Sequence, residues 1–464
     1  MNTALYSEHT PIYANTGYGP NFKVLEIGLP DKVAVVEPDR AFWAIITLNS
    51  LSEVLAGKFL KDFQEQAKTF QEEMELLRFG LKPSAVYFNP TERCNLNCSY
   101  CYLPESMRQN GKTMTAKELV DALQRLLVYF REILPEGAKP QCIFHGSEPM
   151  LAREAVFYGI EQFQNDFHFG IQTNATLLDD EAIRFLTGYR VGIGISLDAP
   201  TAEVADVTRK TWRGTGAFRQ VVKVMEKLAS YPAFNVITTV TRANVQTLPD
   251  MTDFFHQHGV YMVMFNPVRC TQAGGQELKP ENGVLSHFFC KALDRIYEIY
   301  EKTGKKLVVA NFANILAGII GPTGRRLMCD ISPCGAGRCF FAVSANGGVF
   351  PCSEFIGFPE FNGGNLFRNS LQEILQSKLF LKVTRRKAEE IVPCQTCAIR
   401  HFCGAPCPAE VKAISGTLNA PSPYCTFYEE LVRYAFRIIG MEREEAYLWD
   451  GWQEEMEESF NWIK

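Results

Sequence analysis

Between residues 85 and 268 short β-rich apolar runs alternate with longer segments whose apolar residues recur at helical spacing. The runs lie at 85–89, 141–145, 168–173, 191–197, 236–241 and 261–265, and the helical patterns at 115–133, 152–165, 180–187, 217–230 and 248–258. Strand-length runs alternating with amphipathic helices are the pattern of parallel βα units. Six of them predict a doubly wound sheet or an incomplete βα barrel, and in both a ligand gathers beyond the carboxyl ends of the strands. Asp179, Asp180 and Thr215 are the expected helix caps, because a short side-chain oxygen ahead of a helix accepts from its free N–H groups.

The flanking segments read differently. Residues 22–29 and 32–48 predict a hairpin or small sheet and 51–79 one or two helices, a small α+β module over 1–80. After the barrel region, 81–270, a charged helical stretch at 280–302 and an apolar segment predict a bridging helical region over 271–328. From 329 to 428 periodicity fades while Cys, Gly and Pro accumulate, which predicts a small unit held together by metal. The tail, 429–464, alternates acidic and aromatic residues, as a docked helix with one solvated face does.

A chain of 464 residues is long enough for two or three domains. Its 47 Lys+Arg against 52 Asp+Glu give a net charge of -5 with no basic block, so nucleic acid is not an expected partner. The first twenty residues show no basic then apolar targeting pattern, and the longest apolar stretch, 307–320, is broken by Asn311 and Asn314 and too short to span a bilayer. A cytoplasmic protein without a membrane anchor is expected. Fifteen cysteines in a reducing compartment point to metal or cluster ligation rather than disulfides. Twelve fall within 94–101 and 329–425; Cys142, Cys270 and Cys290 are expected to be ordinary buried residues.

Just beyond the first strand, Cys94, Cys98 and Cys101 are spaced Cys-x3-Cys-x2-Cys. Three thiolates within one loop can converge on a four-iron cubane and leave its fourth iron open; a zinc ion, or a cluster completed by a distant Cys, fits the same spacing. With Tyr100 ahead of the last cysteine, the loop resembles that of the radical S-adenosylmethionine (radical SAM) superfamily, and the resemblance extends over 85–268. It implies a partial (β/α)6 TIM-like barrel. It further implies that S-adenosylmethionine chelates the open iron and is cleaved by an electron from the cluster to give a 5'-deoxyadenosyl radical. Gly146-Ser147-Glu148-Pro149 resembles the Gly-Gly-Glu-Pro motif with Ser147 in place of the second glycine, so its backbone and Glu148 are expected to accept the cofactor's ammonium. By the same resemblance Thr173 and Asn174, then Ser196 and Asp198, are expected at the methionine and ribose portions, and Arg209 at the carboxylate. Taken singly these residues read as a turn, two strand ends and a solvated arginine.

The second cysteine region runs Cys334, Cys352, then Cys394-x2-Cys397-x5-Cys403-x3-Cys407, then Cys425. So many thiols exceed the needs of one tetrahedral ion, and one or two structural zincs or clusters would account for them. The order resembles the SPASM domain of radical enzymes that modify peptides and proteins. That resemblance implies two auxiliary [4Fe-4S] clusters, three in all: an outer one on Cys394, Cys397, Cys403 and Cys425, and an inner one on Cys334, Cys352 and Cys407. Cys339 is expected as the inner fourth ligand, ahead of Cys329 or of an iron left open.

The activity implied is that of a maturase for a ribosomally synthesised precursor peptide (a RiPP maturase), an oxidoreductase that installs a cross-link or similar oxidative change. Its partners would be the precursor and an external electron donor such as flavodoxin or ferredoxin; residues 1–80 would recognise the precursor as a winged-helix-like element, or cap the barrel. A sulfatase maturase making formylglycine is the competing enzyme. Those enzymes place Asp directly after the cysteine corresponding to Cys352, where this chain has Ser353 and then Glu354. A non-catalytic electron carrier or zinc scaffold is the alternative of another class, and would have no use for the cofactor-pocket residues. No acid or base for catalysis stands out in the sequence.

Overall fold

In the computed structural model, which describes residues 21–52, 57–321 and 324–453, the chain first forms an antiparallel meander. Its strands are β1 (Lys23–Glu26), β2 (Lys32–Glu37) and β3 (Phe42–Thr47), and helix α1 (Lys58–Glu75) follows. Side chains alternate across a strand, and β2 uses both faces: Val35 joins Phe22, Phe42 and Phe63 under α1, whereas Ala34 and Val36 belong to the main core. Expectations for residues 1–20, 53–56, 322–323 and 454–464 lie outside the described residues.

The six expected strands form where the apolar runs lie. They are β4 (Ala85–Phe88), β5 (Gln141–Phe144), β6 (His168–Thr173), β7 (Gly192–Ser196), β8 (Phe234–Val240) and β9 (Met262–Pro267). Each pairs in parallel with its neighbour in sequence. Parallel neighbours need a crossover, and helices supply it. Between β4 and β5 lie α2 (Glu105–Asn110) and α3 (Ala116–Ile133); then come α4 (Arg153–Phe163), α5 (Asp180–Gly188), α6 (Ala202–Thr208), α7 (Phe218–Leu228) and α8 (Leu248–Gln257). The result is the partial TIM-like βα barrel.

The sheet is longer than the apolar pattern predicts. On one side β10 (Val308–Val309) adds in parallel to β9. On the other, β11 (Phe340–Val343) of the cysteine-rich region adds in parallel to β4, with Phe340 opposite Ala85 and Val343 opposite Phe88. It continues antiparallel through β12 (Gly348–Phe350) and β13 (Gly364–Asn365). Strands of two or three residues carry too few positions to show a period, and the four-residue β11 lies where Cys, Gly and Pro obscure any alternation. The cysteine-rich region is therefore hydrogen-bonded to the strand that feeds the first cysteine loop.

Three helices close the other end: α9 (Asn282–Thr303), α10 (Ala310–Ile320) and α12 (Cys425–Gly440), with α11 (Pro408–Ser415) between the last two. Helix α12 crosses the boundary drawn at 428/429, buries Phe427, Leu431 and Phe436, and carries the meander through Arg437 Nε to the Ile27 carbonyl (2.8 Å) and Lys32 Nζ to the Gly440 carbonyl (2.9 Å). The asparagines that interrupt the apolar stretch are tethers. Asn311 exchanges hydrogen bonds with the Phe265 backbone, and Asn314 holds the Leu327 carbonyl and Asp330 just before and after Cys329. No helix among the described residues is long and apolar enough to cross a membrane.

Of the expected caps, Asp179 accepts from Ala182 N (2.8 Å), whereas Asp180 lies inside the helix. Thr215 caps nothing, because α7 starts later and its first N–H groups, on Ala217 and Phe218, donate to Asp206 Oδ1 at 2.9 and 3.0 Å. A carboxylate from the preceding helix does the work expected of a local residue. Asp206→Ala should speed amide hydrogen exchange at residues 217 and 218 and weaken local stability by about 1 kcal/mol. Unchanged exchange there would refute this capping role.

Candidate functional site

The loop that leaves β4 is pinned along its backbone. Cys94 N donates to the Arg108 carbonyl (3.0 Å), Asn97 N to that of Lys210 (2.6 Å) and Ser99 N to that of Thr208 (3.1 Å). Trp212 Nε1 donates to the Cys94 carbonyl (2.8 Å), and the Arg108 guanidinium holds Asn97 Oδ1 (2.8 Å) and the Leu103 carbonyl (3.2 Å). Helix α2 and the segment between α6 and α7 thus grip the loop from two sides. Cys94, Cys98 and Cys101 all line one cavity of about 260 Å³ at the carboxyl ends of the strands.

Burial pushes the Cys94 thiol up to about 12 and that of Cys101 to about 11, with Glu148 adding to the first and Arg108 opposing the second; burial raises Cys98 too. As free thiols they stay protonated, so only a bound cationic centre makes thiolates of them. Among the described residues no three His, Cys, Asp or Glu side chains are grouped to hold a single ion; in a cubane each thiolate bonds its own iron. Three soft donors on one cavity fit such a group.

Beside them, Gly146 takes φ +101°, and a Cβ there would meet Asn89 Nδ2 at 2.1 Å, so only glycine fits. Ser147 Oγ donates to the Glu92 carbonyl (2.6 Å) and Glu148 N to that of Arg93 (3.1 Å), which fastens the motif to the entry of the cysteine loop. The serine that departs from the family motif therefore satisfies a backbone acceptor.

Glu148 lies just behind the cavity wall. Its carboxylate is fully buried, accepts from Thr173 Oγ1 (2.7 Å), Asn174 N (2.8 Å) and Met150 N (3.0 Å), and does not line the cavity. It shapes the turn after β6. Asn174 and Thr173 do face the cavity, and Asn174 Nδ2 bonds Asn95 Oδ1 (2.8 Å) and lies 3.9 Å from Cys94 Sγ. Ser196 is on the wall as well.

Tyr100, Asp198 and Arg209 form one buried unit. The Tyr100 hydroxyl donates to Asp198 Oδ2 (2.5 Å), Arg209 Nη1 donates to that hydroxyl (2.6 Å) and stands 3.7 Å from the carboxylate. Arg209 is 7% exposed, unlike a solvated arginine, and its Nε has no partner although the residue lines the cavity. A buried donor left open is costly unless a ligand completes it, so the pocket fits an anionic group. Asp198 stays behind the wall as the orienting acceptor.

Several wall residues escape the sequence reading. Thr239, Asn266 and Pro267 at the ends of β8 and β9 follow from the strand-end rule alone. His145 precedes Gly146, lies 3.2 Å from Ser353 Oγ and stacks on Tyr102. Arg269 and Glu354 close the side contributed by β9 and the cysteine-rich region. Burial pushes Glu354 up to about 7 against the opposing pull of Arg269, and its Oε2 is unpartnered. Glu354 is invisible from sequence as a wall residue because the pairing of β11 with β4 brings it there.

The later cysteines gather in two sets. Charge on Cys397, Cys425 or Cys394 raises Cys403, and charge on Cys394 or Cys397 raises Cys425, so the expected outer four are neighbours. In the inner set Cys352 responds to Cys407, Cys334 and Cys329, and Cys329 to Cys334 and Cys407. Cys339 responds to Cys334 alone among the thiols. The electrostatic neighbours of Cys329 thus include two of the inner three, Cys334 and Cys407, and those of Cys339 one, while the Cys339 N–H donates to the Gly335 carbonyl (2.7 Å).

Comparison with known proteins agrees with this geometry. Residues 88–255 match the radical SAM superfamily, and residues 334–398 match SPASM, an iron-sulfur cluster-binding domain. The chain is 39% identical to an uncharacterized protein of Archaeoglobus fulgidus over 89% of its own length and 94% of the relative's. It is 24% identical to the cysteine-type anaerobic sulfatase-maturating enzyme of Clostridium perfringens over 78% of this chain and 99% of that one. Among solved structures, Streptococcus suis SuiB bound to the precursor peptide SuiA shares the fold with a TM-score of 0.57 at 12% identity, covering 85% of this chain and 96% of that one.

Burial holds the His145 imidazole down at about 4, from an ordinary 6.5. Between those values the unfolded chain binds a proton that the folded one refuses, so stability falls as pH drops through this window. His145→Gln should flatten the fall of urea midpoints between about pH 6.5 and pH 4. Parallel profiles for the variant and the parent would show that the imidazole is not held neutral.

Proposed function

Because the chain belongs to the radical SAM superfamily and carries a SPASM domain, we propose that it is a peptide maturase that abstracts hydrogen from a precursor peptide and installs an oxidative cross-link or similar change. Its domains call for S-adenosylmethionine and iron-sulfur clusters. When bound, that pair supplies a 5'-deoxyadenosyl radical by one-electron cleavage of the sulfonium. Cys94, Cys98 and Cys101 would hold the cluster that binds the cofactor. Arg209, aimed by Tyr100 and Asp198, would meet an anionic group of the cofactor. The backbone of Gly146 and Ser147 would take its ammonium, and Thr173, Asn174 and Ser196 would wall the rest. Cys394, Cys397, Cys403 and Cys425 hold an outer cluster and Cys329, Cys334, Cys352 and Cys407 an inner one, making three [4Fe-4S] clusters.

The observation that carries this reading is the shared cavity: the wall that includes Cys94, Cys98 and Cys101 also includes Glu354, two residues beyond Cys352. A carrier or scaffold has no use for a space that joins both cysteine regions. A substrate held there reaches the radical on one side and an electron acceptor on the other. Among the described residues β1 and β3 are the outer strands of the meander, which suits a precursor that binds as an added strand. An external flavodoxin or ferredoxin supplies electrons, in the cytoplasm.

Formylglycine formation on a sulfatase is the second reading. Ser353 counts against it, and Glu354 favours it by offering a carboxylate on the cavity wall one residue later.

Anaerobic reconstitution should give about twelve irons with matching sulfide per chain, and 5'-deoxyadenosine under strong reductant. Zinc without sulfide, or an intact cofactor, would falsify the enzyme reading. Cys98→Ala should abolish 5'-deoxyadenosine while the chain stays folded. Cys329→Ala should lose about four irons where Cys339→Ala loses none; the reverse result would return the fourth inner position to Cys339.

A further inference from the structure

Arg386 follows the short helix Lys378–Thr384 and is 2% exposed. Its guanidinium is held by carbonyls alone: Nε donates to Leu418 (2.6 Å), Nη1 to Ala405 (2.7 Å) and Nη2 to Ala420 (3.3 Å). Among the described residues no carboxylate stands within ion-pair distance of it. Buried Arg400, by contrast, pairs with Asp39, and Arg78 pairs with Glu389. A buried cation without a counter-ion is expensive, and three carbonyl dipoles offset only part of that cost.

The missing negative charge has an evident source. Ala405 lies between Cys403 and Cys407, on a turn where Gly404, Ala405 and Cys407 take φ of 71°, 48° and 39°. That turn carries the chain from the outer set of thiols to the inner one, and two residues with a Cβ hold a left-handed conformation that costs energy. Arg386 is thus fastened to the bridge between the sets. Its charge is felt by Cys334 and Cys407 on one side and by Cys394 and Cys403 on the other.

We infer that Arg386 is the fixed counter-charge shared by the two auxiliary centres, a positioning residue that raises the reduction potential of both by favouring the extra electron. This rests on the reading of those eight thiols as two clusters. A four-thiolate cluster is anionic in either state and more so when reduced, so a buried cation beside it stabilises the reduced form more. One guanidinium between two such groups also lowers their mutual repulsion, and so links the two potentials to one side chain.

The test uses the full chain with Cys94, Cys98 and Cys101 changed to Ala, which leaves only the auxiliary centres. Iron and sulfide analysis comes first, and a parent that fails to hold about eight irons would overturn the two-cluster reading itself. Redox titration followed by electron paramagnetic resonance then compares Arg386→Gln and Arg386→Lys. With iron content kept, both potentials should move negative in the glutamine variant and stay near the parent's in the lysine variant. Unchanged potentials in Arg386→Gln, a shift in one centre alone, or an equal fall in Arg386→Lys overturns the inference.

Should the glutamine variant lose its iron, a second neutral variant decides the question. Arg386→Met, uncharged and of similar length, then stands in for the glutamine: both potentials should lie below those of Arg386→Lys, and equal potentials in the two variants overturn the inference.

Discussion

The parallel pairing of β11 with β4 sets the distance between everything that matters in this molecule. Strand β4 delivers the loop with Cys94, Cys98 and Cys101, while β11 and its hairpin partner deliver Cys352 and Glu354. Because strands in a sheet lie less than about 5 Å apart, the pairing leaves no hinge between the two cysteine regions. A linker would let the regions drift apart. A ladder of main-chain hydrogen bonds holds them in one rigid frame, which is what a short-lived reactive species requires of its surroundings.

Around that frame the electrostatics is a balance between buried thiols and buried guanidinium groups. Left as thiols, the cysteines are neutral and Arg386 has carbonyl partners alone, whereas Arg209 and Arg269 face Asp198 and Glu410; as thiolates on a metal group, they would provide the negative charge that Arg386 lacks. Loading the centres and settling Arg386 are then one event. The same logic explains Glu148 and Asp198, buried carboxylates that neither touch the cavity nor stand idle. One organises the turn after β6 and the other aims Tyr100 and Arg209.

Much of this is legible in the sequence because it is local. The six barrel strands have runs long enough to show themselves, and the order of cysteine loop, Gly146-Ser147, Thr173-Asn174 and Ser196 follows successive strand ends. What escapes is set by partners distant in sequence. Strand β10 is too short for a period, β11 lies where Cys, Gly and Pro obscure any alternation, and Glu354 becomes a wall residue only after β11 has docked. Cys329 and Cys339 flank Cys334 at equal spacing, so spacing alone cannot separate them; their surroundings differ only through distant partners, such as Asn314 holding the chain on either side of Cys329. Thr215 looked like a cap because Asp206, the actual one, sits in another helix.

The bond from Ser147 to the Glu92 carbonyl has a consequence for how the chain can change. It joins positions 55 residues apart, one in the pocket floor and the other at the entry of the cysteine loop. Glycine at 147 would free the floor but strand an acceptor that the protein covers. Because the acceptor is main chain, any residue at 92 would serve it, and the bond asks only for a hydroxyl at 147: the pocket floor is fastened to the cysteine loop by one side chain.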